Sequence, residues 1–224
     1  MGEWLEIGSA SSRAYLALPA SGSGPGVLVL HAWWGLTETF TAVCDRLAGE
    51  GFVALAPSLY PDNATTDSIP EAEQLVKRLS DQSEQVEATL LAVVDWLGDL
   101  PAVRGDGLGV IGFSLGSSWA VHLSAARADD IAAVVLVYGA GEADFSKARA
   151  AYLGHFAEND DYEPLEYVRQ MEEQIRAAGR ELTLHTYPGT SHWFAESNRA
   201  DVYDAEATDL LWERTLAFLT EKLG

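Results

Sequence analysis

The stretch "GVIGFSLGSSWA", Gly109–Ala120, decides how the rest of the chain is interpreted. It runs from β-branched residues into Gly112, places Ser114 between two glycines, and continues with small residues that suit the start of a helix. Glycines on both sides of a serine allow a sharp turn from a strand into a helix, which exposes the hydroxyl above a sheet. The pattern therefore predicts a strand, a tight turn and a helix, with Ser114 as a candidate nucleophile.

Composition limits the class of protein. The chain has 224 residues, and 48% of them are hydrophobic, so we expect one globular domain over residues 1–224. The formal net charge of −20 argues against nucleic acid and anionic membranes as partners. Neither a signal peptide nor a membrane span is apparent, which favours the cytoplasm. Cys44 is the single cysteine, so an intramolecular disulfide is excluded, and its apolar neighbours indicate a core residue.

The hydrophobic pattern alternates between strand-like and helix-like segments. Predicted strands lie at Glu3 to Ile7, Ala14 to Leu18, Val27 to His31, Phe52 to Leu55, Leu108 to Phe113, Ile131 to Val137, Ala151 to Phe156 and Leu182 to Tyr187. Helical spacing covers Thr37 to Gly49, Pro70 to Leu97, Leu115 to Ala126, Pro164 to Ala178 and Ala205 to Leu223. Two strands followed by alternating strands and helices predict an α/β fold, a mostly parallel sheet of about eight strands with helices on both faces.

A serine nucleophile requires a base and a group that orients the base, because a hydroxyl is a weak acid at neutral pH. His192 follows the last predicted strand in "YPGTSHWF", and the loop "GHFAENDDYEP" after the preceding strand offers Asp160 and Asp161. The order serine, acid, histidine is one that this kind of strand-turn-helix site uses. Both aspartates occupy the same loop, so the residues alone favour Asp160 and leave Asp161 open.

The remaining histidines have simpler interpretations. His122 lies in the helix after the serine, and His155 and His185 fall in strand-like runs. His31 ends a predicted strand and could line a pocket.

The motifs together resemble the dienelactone hydrolase family of α/β-hydrolases, from Val27 to the C-terminus. The similar segments are "LVLHAWWGL", "LAPSLYP", "IGFSLGSSWA", "GHFAENDDYEP" and the stretch from "YPGTSHWFAESNRADVY" through the final helix. The resemblance implies an α/β-hydrolase fold and hydrolysis of esters or lactones. It also selects Asp160, because the family's catalytic aspartate lies four positions before a proline, here Pro164.

Two positions depart from the family's pattern. Well-studied members carry cysteine at the turn and glutamate in the first loop, where this chain has Ser114 and Ala32. A carboxylate can help ionise a thiol but not a far weaker hydroxyl, so His192 is expected to act alone as the base. Those members also bind a substrate carboxylate with an arginine at the place where this chain has Glu196.

The oxyanion of the reaction needs two N–H donors. We expect them from the backbone of Leu115, which follows the nucleophile, and of Trp33 in the first loop. Substrate-binding candidates are the aromatic residues at predicted strand ends, namely Trp34, Tyr60, Tyr138 and Trp193. No metal or other cofactor is expected, because hydrolysis by such a triad needs none.

The sequence thus predicts a serine hydrolase that cleaves a small carboxylic ester or lactone through an acyl-serine intermediate on Ser114. A thioesterase or small-peptide hydrolase with the same triad is the alternative. A non-catalytic binding protein is less favoured, because all three triad positions are filled. The natural substrate, its chain length and the oligomeric state stay open.

Overall fold

The structure, a computed structural model, describes residues 2–7, 12–60 and 62–224. In these ranges the chain forms eight strands and six helices. The strands are β1 (Glu3–Ile7), β2 (Ser12–Ala17), β3 (Gly24–Leu30), β4 (Val53–Pro57), β5 (Val103–Phe113), β6 (Ile131–Val137), β7 (Ala151–Asn159) and β8 (Leu182–Ser191). The helices are α1 (Glu38–Gly49), α2 (Ile69–Asp81), α3 (Ser83–Gly98), α4 (Leu115–Ala126), α5 (Leu165–Ala177) and α6 (Ala205–Leu223). None of the described helices has the length and apolar character needed to cross a membrane.

The strands form a mixed sheet in the order β1-β2-β4-β3-β5-β6-β7-β8. β2 pairs antiparallel with both β1 and β4, whereas the pairs β3–β4, β6–β7 and β7–β8 are parallel. The predicted mostly parallel sheet of about eight strands is therefore confirmed. In sheets of this type, loops at the carboxyl ends of the strands carry the functional residues.

One predicted helical segment differs from the structure. The stretch Pro70 to Leu97 forms two helices, α2 and α3, which are separated at Gln82, where φ is −117° and ψ is 20°. Ser80, Asp81 and Ser83 surround this break. Their short polar side chains compete for backbone hydrogen bonds, which weakens a helix at that point even where the apolar periodicity continues.

The chain divides into two compact units, Met1–Leu108 and Gly109–Gly224. In the first unit, α1 packs against β2, β3 and β4, and α3 packs against β1, β3 and β4. The apolar runs of β3 and β4 are fully buried, as expected for strands covered on both faces. That residues 1–224 make one domain stays a prediction.

His31 has a structural place in the first unit. Its Nε2 accepts the Leu59 N–H at 2.9 Å, and its Nδ1 lies 2.6 Å from the Ala32 carbonyl oxygen. Burial lowers the pKa of His31 to about 4, so the ring is neutral at physiological pH, with Nδ1 carrying the proton. The imidazole thereby joins the residues that follow β3 to those that follow β4.

In the second unit, α4 packs against β6, α6 packs against β6 and β7, and α5 packs against β8. A buried polar network connects three of these elements. His155 Nδ1 on β7 lies 2.8 Å from the Tyr187 hydroxyl on β8, and its Nε2 lies 3.0 Å from Thr215 Oγ1 on α6. Burial lowers the pKa of His155 to about 3, so this ring is neutral and its role is structural.

The reactivity of Cys44 reports on the packing of α1. The residue is fully buried, and burial raises the pKa of its thiol, with a further contribution from the charge of Asp45. We expect the native protein not to react with a thiol reagent such as dithionitrobenzoate, because thiolate formation and access are both suppressed. The denatured chain should release one equivalent of the chromophore. Rapid reaction of the native protein would show instead that α1 opens readily.

Candidate active site

Ser114 stands in a strained turn between β5 and α4. Its φ of 49° and ψ of −114° are values that non-glycine residues rarely adopt, at a cost of about 1–3 kcal/mol. The flanking backbone leaves no room for side chains. A Cβ on Gly112 would lie 2.4 Å from the Gly116 carbonyl oxygen, and one on Gly139 would lie 2.3 Å from that of Ser114. The Ser114 N–H donates to the Val137 carbonyl oxygen at 2.9 Å, which fastens the turn to β6.

The three residues predicted as a triad are hydrogen-bonded in series. Ser114 Oγ lies 2.9 Å from His192 Nε2, and His192 Nδ1 lies 2.7 Å from Asp160 Oδ2. Because an ionised carboxylate only accepts hydrogen bonds, Nδ1 carries the imidazole proton and Nε2 presents its lone pair to the serine hydroxyl. This is the tautomer that a general base requires.

Asp160 is held by the loop that follows β7. Its Oδ1 accepts the backbone N–H groups of Tyr162 at 2.9 Å and Glu163 at 2.8 Å, which leaves Oδ2 directed at the imidazole. The side chain is 7% exposed, whereas Asp161 is an exposed residue. Of the two aspartates that the residues alone left open, Asp160 is the one that contacts His192.

The imidazole of His192 lies among aromatic rings. Ring centroids of Tyr138, Trp193 and Tyr162 are 5.0, 4.9 and 5.3 Å from that of His192. Tyr138 and Trp193 also have positive φ values, 38° and 66°. In the second unit, the described non-glycine residues with positive φ are therefore Ser114, Tyr138 and Trp193, and all three border the same histidine. Backbone strain concentrated in this way is typical of functional sites.

Glu196 and Tyr138 form a buried pair. Both side chains are fully buried, and the Tyr138 hydroxyl donates to Glu196 Oε1 at 2.9 Å. Burial raises the pKa of Tyr138 well above its usual value, and the adjacent Glu196 raises it further. The glutamate at the position of the family's arginine thus supports the histidine loop rather than facing solvent.

The remaining candidates from the sequence lie in the first unit. The Tyr60 hydroxyl donates to the Trp33 carbonyl oxygen at 2.8 Å, and the Trp34 ring packs edge-on against that of Trp33, with centroids 5.2 Å apart. Tyr60 and Trp34 are each 2% exposed. These contacts order the first loop, while the oxyanion role of Trp33 and the substrate contacts of Trp34 and Tyr60 stay predictions.

Sequence reasoning missed two residues beside the triad, Tyr162 and Glu163. Tyr162 is 46% exposed, and its ring lies 4.5 Å from that of Trp193. Glu163 accepts the Ala140 N–H at 3.0 Å. A signal was available, because an aspartate often accepts N–H groups two and three residues ahead, which would have placed both residues next to Asp160.

Comparison with known proteins identifies the family. The sequence profile of the dienelactone hydrolase family matches residues 12–223. This chain belongs to that family. It is 29% identical to "Protein usf" of Aquifex pyrophilus over the full length of both chains. It is 30% identical to a probable 2-oxo-3-(5-oxofuran-2-ylidene)propanoate lactonase of a Bradyrhizobium species, covering 97% of this chain and 93% of the relative.

A solved structure extends the likeness to the fold. A Klebsiella pneumoniae protein assigned as a dienelactone hydrolase superposes with a TM-score of 0.83 at 29% identity, covering 99% of this chain and 98% of the other. The resemblance inferred from the motifs is therefore confirmed, together with the α/β-hydrolase fold. The chain is an enzyme of the dienelactone hydrolase type, and the family supports hydrolysis of esters or lactones.

The two aspartates provide a matched test of the hydrogen-bond series. Asp160→Asn should lower kcat for a chromogenic ester by about 10²- to 10⁴-fold, because an amide can stabilise the wrong imidazole tautomer and does not balance the imidazolium charge. Asp161→Asn removes the same charge from the same loop at an exposed position and should change kcat by less than about twofold. Steady-state kinetics of both variants decide the point, and a larger loss in Asp161→Asn would contradict the assignment of Asp160.

Proposed function

We propose that this enzyme hydrolyses small, uncharged carboxylic esters or lactones through an acyl intermediate on Ser114. The observation that carries the proposal is the continuous series of hydrogen bonds from Ser114 Oγ through His192 to Asp160. The direction of these hydrogen bonds fits the imidazole tautomer that nucleophilic catalysis needs, and the three side chains come from loops after different strands.

Acylation begins when His192 Nε2 takes the hydroxyl proton and Ser114 Oγ attacks the substrate carbonyl carbon. The carbonyl oxygen becomes an oxyanion, which the N–H of Leu115 would stabilise. Leu115 is the first residue of α4, and the first N–H groups of a helix have no acceptor within it. Trp33 is our candidate for the second donor. Collapse of this intermediate breaks the bond to the leaving oxygen, which receives the proton from Nε2.

Deacylation repeats the same steps with water. His192 Nε2 takes a proton from a water molecule, whose oxygen attacks the acyl carbon, and the serine oxygen leaves with that proton restored. Asp160 stabilises the imidazolium formed in each half of the reaction. A lactone differs only in that its leaving oxygen stays attached to the acyl group, so hydrolysis gives one product, a hydroxy acid.

The replacement of cysteine by serine is consistent with the absence of a carboxylate at Ala32. A thiol with an ordinary pKa near 8.5 can be activated by several neighbours, whereas a hydroxyl needs direct proton transfer to a base during attack. The 2.9 Å contact to Nε2 supports such a transfer. Ala32 is fully buried, as expected for a small structural residue at this place.

Ser114→Ala tests the nucleophile. We expect a loss of about 10³-fold or more in kcat with a native circular dichroism spectrum, because a small side chain in the turn contributes little to packing. A fluorophosphonate probe should label the wild type at Ser114 and leave the variant unlabelled. Ser118→Ala is the matched control, since Ser118 lies in the same motif but its hydroxyl donates to the Leu115 carbonyl oxygen.

Retention of activity in Ser114→Ala would place the nucleophile elsewhere. Absence of labelling in the wild type, with no hydrolysis of oxygen esters, thioesters or small peptides, would favour a binding protein. Faster hydrolysis of thioesters or peptides than of oxygen esters would favour the alternative substrate classes.

The charge of this chain favours uncharged substrates over anionic ones. The net charge of −20 repels anions, and burying an unpaired carboxylate costs several kcal/mol. Arg199 lies over the Trp193 ring, 4.7 Å from its centroid, but it also pairs with Asp201 at 3.5 Å. A substrate carboxylate would have to compete with that aspartate, whereas an uncharged aryl or alkyl group would meet the exposed ring of Tyr162.

We therefore expect uncharged short-chain esters to have a higher kcat/KM than carboxylate-bearing lactones of similar size. Measurement of both substrate classes at low and high salt separates long-range repulsion, which salt screens, from the properties of the site. A preference for the anionic lactone at either ionic strength would contradict the expectation. If Arg199→Gln abolished that preference, the carboxylate-binding residue would be Arg199.

A further inference from the structure

Glu163 is a partly buried carboxylate beside the triad that the proposed mechanism does not use. Its backbone N–H donates to Asp160 Oδ1 at 2.8 Å, and its own Oε2 accepts the N–H of Ala140 at 3.0 Å. One residue thus contacts the acid of the triad through its main chain and the loop after β6 through its side chain.

The first three residues of the segment after β6, named here loop 138–140, touch the other two members of the triad. The Tyr138 ring lies 5.0 Å from the imidazole of His192, and Gly139 lies so close to Ser114 that a Cβ there would meet the serine backbone. Ala140 is the last residue of this stretch, and its N–H donates to Glu163 Oε2. The position of loop 138–140 therefore affects Ser114 and His192 together, and the Glu163 carboxylate is the acceptor that holds its end.

We propose that Glu163 is a positioning residue for the triad. Its carboxylate fixes loop 138–140 against the Asp160 loop, and its negative charge, added to that of Asp160, favours the imidazolium of His192 in the transition state. This inference rests on the acyl-serine function proposed above.

The charge of Glu163 depends on pH in the neutral range. Burial raises the pKa of this carboxyl to about 7; the Ala140 N–H lowers it, and the negative charge of Asp160 raises it. Other titratable groups around Glu163 include His192 after β8, with the Tyr138–Glu196 pair that contacts it. Asp161 and Tyr162 precede Glu163 in its own loop, and Glu142 lies two residues after Ala140. Glu163 therefore gains its negative charge, and with it the proposed stabilisation of the imidazolium, as the pH rises through about 7.

The first test is the pH dependence of kcat/KM in the wild type, Glu163→Gln and Glu166→Gln. The amide of Glu163→Gln keeps an acceptor for Ala140 but lacks the charge. The wild type should show, beyond the ionisation of the general base, an additional increase of about three- to tenfold near pH 7. Glu163→Gln should lack this increase, and at pH 8.5 its kcat should be lower by about the same factor with KM little changed.

Glu166→Gln is the matched control, because Glu166 is an exposed glutamate in the first turn of α5 and loses the same charge. It should behave as the wild type. An unaltered pH profile in Glu163→Gln, or a loss confined to KM, would overturn the proposal.

The second test does not depend on turnover. A carboxyl whose pKa rises from 4.5 to about 7 on folding binds its proton more tightly in the folded state. The unfolding free energy of the wild type, relative to that of Glu163→Gln, should therefore fall as pH rises from about 4.5 to 7 and stay constant above that. A constant difference across this range, measured by urea denaturation, would show that folding does not bury this carboxyl between the two loops and would overturn the proposal.

The two proposals fail in different ways. Retained activity in Ser114→Ala would overturn the acyl-serine function and, with it, the role of Glu163. Loss of activity in Ser114→Ala together with a wild-type pH profile in Glu163→Gln would overturn the role of Glu163 alone.

Discussion

The second unit of the chain, which carries the candidate active site, depends on one constraint, the positive φ of Ser114. The turn from β5 into α4 is so tight that glycine is required at positions 112 and 139, where any Cβ would overlap backbone atoms. A serine in this conformation is unfavourable by itself, and its N–H is tied to Val137 on the neighbouring strand. The hydrogen bond to the sheet therefore holds the strained turn in place, and in this turn the hydroxyl lies next to His192.

The histidine loop is stabilised from several sides. Asp204 caps α6 by accepting the Ala207 N–H, and its own N–H donates to the Phe194 carbonyl oxygen, so the helix and the loop are joined. The buried Tyr138–Glu196 pair adds a polar contact beside the imidazole. Such support matters for the general base of the proposed mechanism, because a displacement of about 1 Å can lower a rate by two orders of magnitude.

Three carboxylates near the imidazole have different surroundings. Asp160 accepts two backbone N–H groups and the imidazole proton, Glu196 accepts a tyrosine hydroxyl, and Glu163 accepts one amide. The number and kind of donors differ among the three, so one small region contains three acidic groups in separate environments.

Much of the fold follows from local sequence. The apolar runs and glycine boundaries predict all eight strands, and the setting of Ser114 between β5 and α4 predicts the serine turn, because hydrophobic period and turn chemistry act over short distances. The interruption at Gln82 was missed, since apolar periodicity continues through it. The family resemblance selected Asp160, but the residues alone left Asp161 open.

Contacts between distant segments required the tertiary structure. Local patterns indicate where a strand ends, but not which atoms of separate loops meet there. Three contacts illustrate this. Glu196 is buried against Tyr138, 58 positions away, and Ala140 donates to Glu163, 23 positions away. The ring of Tyr162 contacts that of His192 from a different loop. Sequence alone therefore determined the strands, the helices other than the division between α2 and α3, and the candidate nucleophile. The three-dimensional packing decided which acid contacts the histidine and which neighbours hold it, because those pairings depend on distances that exist only in the folded chain.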